Sequence, residues 1–100
     1  MLHTVNKSPF ERNALDSCLR LALPGSAILL FEDGVYAALA GTTHAPKIEK
    51  VIGTHEVYVL GPDLKARGIE ETRIIGGVKI VDYGGFVDLA VEKGTVNSWL

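Results

Sequence analysis

Cys18 is the only cysteine in the 100 residues. One thiol cannot close an intrachain disulfide, form a C-x-x-C redox pair or build a cysteine-rich zinc site. The chemistry open to it is that of a solitary thiolate, exchanging sulfur or electrons with another molecule. The competing reading is packing, a common place for a free cysteine. Leu15, Cys18, Leu19 and Ala22 follow the spacing of one helical face, with the thiol about 60° from the centre of the apolar arc. Its helical neighbours Ala14, Leu15, Leu21 and Ala22 are apolar and would raise its pKa, and Arg20 lies on another face. Pattern alone favours packing.

The remaining reactive types are scattered. His3, His44 and His55 fall on a strand, a loop and a strand edge, with no paired ligand spacing, so no metal is expected. Gly76-Gly77 and Gly84-Gly85 make neither a dinucleotide fingerprint nor a phosphate loop, and read as glycines easing tight turns. Asp33, Asp63 and Asp82 stand at the C-terminal ends of strands, where α/β sheets commonly bind ligands. A carboxylate pair for acid–base chemistry is conceivable there, but helix capping explains all three and is preferred. Trp99 either packs back on the domain or anchors a partner.

Positioning these residues falls to alternating strands and helices, the pattern of an α/β domain on a largely parallel sheet. Leu2–Val5 reads as the first strand. Ser8-Pro9-Phe10-Glu11 carries an N-cap, a first-turn proline and the acid of a capping box, predicting a helix that ends at Pro24-Gly25. Ala27–Phe31 is apolar throughout, as a central strand covered on both faces should be. A short helix follows over Val35–Ala40, with Asp33 as its expected cap. Gly41–Lys47 reads as a loop, Ile48–Ile52 as a short helix and Val57–Leu60 as a strand. A brief helix, Leu64–Arg67, stops at Gly68. Ile74-Ile75 fits either a strand or an extended loop. Val78–Val81 reads as a strand, and Asp82 precedes a helix to about Glu92, while the tail Thr95–Leu100 is given no element.

The length suits a single domain, residues 1–100, with one core. Apolar residues make up 47% and charged residues 22%, the proportions of an ordinary folded chain. A mean hydropathy of +0.22 is high for so small a domain and points to a partner interface. With a net charge of −2 and a pI near 5.9, the chain lacks the basic field that direct nucleic-acid binding needs. The apolar stretches Ala27–Phe31 and Val35–Ala40 are too short to span a bilayer, and Asn6-Lys7-Ser8 interrupts any signal-peptide core. A cytoplasmic protein is the expectation.

Five blocks, in order, resemble the DsrH/TusB family. They are Met1-Leu2-His3-Thr4-Val5-Asn6-Lys7-Ser8-Pro9-Phe10; Leu29-Leu30-Phe31-Glu32-Asp33-Gly34-Val35; Tyr58 through Gly68 (YVLGPDLKARG); Ile80 through Leu89 (IVDYGGFVDL); and Trp99-Leu100. The resemblance implies a DsrE-like, flavodoxin-related α/β fold, a three-layer sandwich with a mainly parallel sheet of four to five strands. It also implies a non-autonomous subunit of a sulfurtransferase complex that relays sulfur as persulfide. The implied partners are DsrE-like and DsrF-like (TusD-like and TusC-like) subunits in a heterohexamer, with a DsrC-like or TusE-like protein as sulfur acceptor. Persulfide exchange needs no metal or cofactor.

The family has two branches. One oxidises intracellular sulfur; the other feeds 2-thiolation of the tRNA wobble uridine. A cysteine at this place in the first helix is characteristic of DsrH, so the resemblance points to sulfur oxidation with Cys18 as candidate persulfide acceptor. The alternative is a TusB-like, non-catalytic structural subunit. The main sulfur-accepting cysteine is implied to belong to the DsrE or TusD partner, which leaves an accessory role and a scaffold role open for this chain.

Overall fold

The computed structural model describes residues 1–100. In chain order the elements are β1 (Leu2–Val5), α1 (Ala14–Leu21), β2 (Ala27–Leu30), a 3-10 segment Glu32–Ala38, α2 (Ala45–Val51), β3 (Glu56–Leu60), α3 (Gly61–Ala66), a 3-10 turn Glu71–Arg73, β4 (Lys79–Val81), α4 (Tyr83–Lys93) and β5 (Val96–Trp99). Five strands form one sheet in the order β4-β3-β2-β1-β5, and every neighbouring pair is parallel. The chain therefore steps outward one strand at a time from β1 to β4. It then crosses back through α4 to lay β5 on the far side of β1.

Strand alternation divides the core between two faces. Ile28 and Leu30 of β2 join Val5, Val57 and Val59 in the larger cluster, which Ala14, Leu15, Cys18, Val35, Ile48 and Leu64 cover from α1, α2, α3 and the 3-10 segment. Ala27 and Leu29 point the other way and join Leu2, Tyr58 and Leu89, with Phe86 and Ala90 of α4 against them. All four β2 residues are fully buried, which is why this strand lacks polar alternation. The result is a three-layer α/β sandwich with a parallel sheet, as the resemblance implies. Its second helical layer is α4 alone.

α4 is fastened at both ends. Asp82 caps it by accepting from the Gly85 N–H at 2.8 Å, as the sequence predicts. At its other end Lys93 Nζ donates to Glu56 Oε2 at 2.6 Å, and Tyr58 Oη donates to Glu56 Oε1 at 3.0 Å. The Lys93 and Tyr58 hydrogen bonds hold the Glu56 carboxyl below its ordinary pKa.

Several element boundaries differ from the sequence reading. Ser8 does not cap α1: Phe10 N–H donates to its Oγ at 3.2 Å, and Glu11 and Arg12 N–H both donate to its carbonyl. A hydroxyl satisfied two residues downstream closes a local turn instead of a helix end. α1 starts later, at Ala14, where Ala14, Leu15 and Cys18 can reach the sheet. α2 takes in Ala45, Pro46 and Lys47 from the expected loop, because proline fits the first helical turn. α3 begins at Gly61 with Pro62 for the same reason. Ile74 is extended and makes a single antiparallel bridge to Leu39. The tail forms β5, paired with β1 from Leu2↔Val96 to Val5↔Trp99. No helix is long and apolar enough to cross a membrane.

Candidate functional site

Cys18 lies in the middle of α1 with no solvent exposure. Its side chain belongs to the larger core cluster, among Ala14, Leu15, Ala22 and the strand residues. Burial alone pushes the thiol pKa up to about 12. At that value only about one molecule in 10⁵ carries the thiolate at pH 7, whereas an ordinary thiol is a few per cent ionised. No cation lowers it, and Arg20 is exposed on another face of the helix. Sequence pattern placed Cys18 at the edge of the buried arc; the structure puts it inside the core. That position suits packing and offers none of the access a persulfide acceptor requires.

The three strand-end aspartates are all committed. Asp82 is the cap described above. Asp33 lies within the 3-10 segment and is no cap; its Oδ1 accepts from Arg67 Nε at 3.1 Å and Nη2 at 2.9 Å. Asp63 lies within α3 and is no cap of that helix; its Oδ2 accepts from the Glu32 N–H at 2.6 Å. Glu32 carries φ +48°, left-handed backbone unusual for a non-glycine residue, and the Asp63 bond holds it there. Hydrogen bonds from Arg67 to Asp33 raise the guanidinium pKa against the opposing effect of burial. Sequence reasoning missed this Arg67–Asp33–Asp63–Glu32 clasp because the two segments it joins lie about thirty residues apart. Its effect is to lock the loop after β2 against α3.

The histidines stay apart. His55 bonds Thr54 Oγ1 and the Ala22 carbonyl. His44 sits just before α2 with its ring edge-on to Phe10, centroids 4.6 Å apart. His3 is buried on β1 beside β5, and Trp99 Nε1 donates to its Nδ1 at 3.1 Å. An indole N–H can only donate, so Nδ1 is the acceptor and the ring is neutral. No group of three or more His, Cys, Asp or Glu side chains is placed to hold a metal.

The His3–Trp99 pair predicts an acid sensitivity. Burial lowers the His3 pKa below its ordinary 6.5. A base whose folded-state pKa is depressed contributes stability that is complete above the unfolded value and is lost as pH falls through the folded one. Unfolding free energy measured by denaturant titration should therefore decline below about pH 6.5 through this group. The His3→Phe variant should lose that part of the decline; an identical pH profile would refute the assignment.

What these elements define is a parallel α/β domain with helices on both faces of its sheet and a cysteine in its core. Against known proteins, the family described as DsrH like protein matches residues 7–96. "Protein TusB" of Pectobacterium parmentieri is 41% identical, covering 99% of this chain and all of that one. "Protein TusB" of Erwinia tasmaniensis is 40% identical with the same coverage. Among solved structures, the ychN protein from E. coli superposes with a TM-score of 0.84 over 97% of both chains at 20% identity, a likeness of fold. The chain belongs to the DsrH/TusB family.

Proposed function

We propose that this chain is a structural, non-catalytic subunit of a cytoplasmic sulfur-relay complex of the TusBCD type. The observation that carries the reading is the buried thiol of Cys18, taken with membership of the DsrH/TusB family and the sulfur-relay role that its resemblance implies. In such a relay a thiolate attacks the outer sulfur of a donor persulfide; the donor leaves as thiolate and the acceptor becomes the persulfide. Both sulfurs must be reachable, and Cys18 is not. The acceptor cysteine then belongs to a TusD-like partner, with a TusC-like chain completing the assembly and a TusE-like protein receiving the sulfur. This chain contributes the surface that keeps the complex together.

The named relatives favour tRNA wobble-uridine thiolation over sulfur oxidation. The oxidation branch rests on Cys18 at its place in the first helix, and packing accounts for that thiol. Deleting the gene and measuring 2-thiouridine in tRNA tests the branch and the role together. The expected result is loss of thiolation, restored by both the wild-type chain and Cys18→Ala. Unchanged thiolation would contradict the tRNA branch, and would favour sulfur oxidation if sulfite-reductase genes stand beside this one. Rescue by the wild type but not by a folded Cys18→Ala chain would contradict the structural role.

A further inference from the structure

α1 ends at Leu21, and a cavity of about 250 Å³ lies beside that end, over β1, β5 and the residue that leads into β2. Strand alternation selects its floor. His3 is two residues from Val5, and Ser26 two from Ile28, so both face the α1 side of the sheet with those core residues. Trp99, paired in register with Val5, packs on the same cluster. The walls are apolar. Leu21 and Leu23 stand beside Trp99 and are 60% and 73% exposed. No Asp, Glu, Lys or Arg side chain lines the cavity.

Two polar side chains open on this space from inside the fold. His3 and Ser26 are 4% and 7% exposed. Trp99 Nε1 donates to His3 Nδ1, which leaves the ring proton on Nε2 as a donor. The fully enclosed side-chain atoms without a partner are Asn6 Oδ1 and His44 Nδ1. His3 Nε2 and Ser26 Oγ make no hydrogen bond within the chain and are not enclosed, so both open on the cavity that their residues line. A buried donor without an acceptor costs free energy, which an occupant carrying an oxygen recovers. Water can serve the donors but not the apolar walls.

We propose that this cavity binds a small neutral molecule made of an apolar body and a carbonyl-type oxygen, with the oxygen turned toward His3 Nε2 and Ser26 Oγ. An apolar cavity of about 150 Å³ accepts benzene, so this one has room for a single substituted ring. Neutrality follows from the lining, because a charged ligand would lose its hydration with no opposite side chain to replace it. The apolar body covers Leu21 and Leu23, and the oxygen satisfies the donors, the division usual in ligand pockets. Trp99 contributes twice, as a wall and by fixing the His3 tautomer that presents Nε2–H. The site is independent of the sulfur-relay reading, since no thiol takes part in it.

Trp99 is the only tryptophan, so its indole N–H gives one resonance in a nitrogen-correlated proton spectrum of the purified full chain. Cyclohexanone is the probe, and benzene is the ring of similar size without an oxygen. Titrated at neutral pH, cyclohexanone should move the Trp99 resonance saturably, in the millimolar range expected of so small a molecule. His3→Phe and Ser26→Ala each remove one donor and should each weaken cyclohexanone about fivefold, the worth of one hydrogen bond. Benzene should bind both variants within about twofold of the wild type, since it makes no such bond. Ser26→Ala keeps the His3–Trp99 pair intact and decides the matter if His3→Phe does not fold. Absence of a saturable cyclohexanone shift in the wild type overturns the proposal. So does cyclohexanone binding that Ser26→Ala and a folded His3→Phe leave unchanged, or an equal loss of benzene and cyclohexanone in Ser26→Ala.

Discussion

Gly34→Ala is expected to remove a large share of the domain's stability. A methyl group there would fall inside the van der Waals shell of the Val5 carbonyl oxygen and 2.9 Å from the Val5 carbonyl carbon. Neither atom can move away cheaply. Val5 is fully buried in β1, and its carbonyl already accepts the Phe31 N–H at 3.0 Å. The loop carrying Gly34 cannot retreat either, because the Arg67–Asp33 and Asp63–Glu32 bonds fasten it to α3. Backbone-to-side-chain overlap of this kind costs about 3–5 kcal/mol, against a total of about 5–15 kcal/mol for a domain. Urea unfolding of the purified variant reads the loss; a midpoint equal to the wild type would show that the loop is not clamped.

Leu30→Ala is the second large effect. Leu30 is fully buried in β2, between β1 and β3, and belongs to the larger cluster under α1 and α2. Truncation removes the transfer free energy of the lost carbons and leaves a cavity that strands on both sides hold open, for about 2–5 kcal/mol. Val91→Ala on the outer face of α4 supplies the contrast. Val91 is 78% exposed, and its loss should stay within about 0.5 kcal/mol. Comparable losses at the two positions would mean that α4 buries its outer face in the isolated chain.

Much of the fold was legible because its signals are local. The unbroken apolar run Ala27–Leu30 marked a strand covered on both faces, and Asp82 before Tyr83-Gly84-Gly85 marked a capped helix. β5 was not legible. Val96-Asn97-Ser98-Trp99 is an edge strand with mostly exposed side chains, so it carries no buried alternation and depends on pairing with residues at the other end of the chain. The Ser8 signal misled because a capping sequence also makes a hydroxyl-closed turn, and the choice is settled by where an apolar face meets the sheet. Asp33 and Asp63 looked like caps from their neighbours alone; their partners, Arg67 and the Glu32 N–H, come from distant segments. Cys18 was legible in direction, since its helical phase pointed inward, but its full burial depends on the sheet packed beneath it.

Exposed α4 side chains extend the argument from composition to assembly. Tyr83, Val87 and Val91 repeat every four residues on the solvent side of that helix and are 61%, 60% and 78% exposed. They account for part of the high mean hydropathy, and exposed apolar side chains on one helix face fit the proposed subunit role.

The measurement that bears most directly on the proposed structural role is the rate at which Cys18 reacts with a thiol reagent in the native complex proposed above. Protection by burial predicts labelling slower than that of the partner's acceptor cysteine by orders of magnitude, rising to the rate of a free thiol only in denaturant. A persulfide donor should accordingly leave Cys18 unmodified by mass spectrometry while the partner gains sulfur. Rapid labelling of Cys18 in the folded complex, with sulfur appearing on it, would contradict the account.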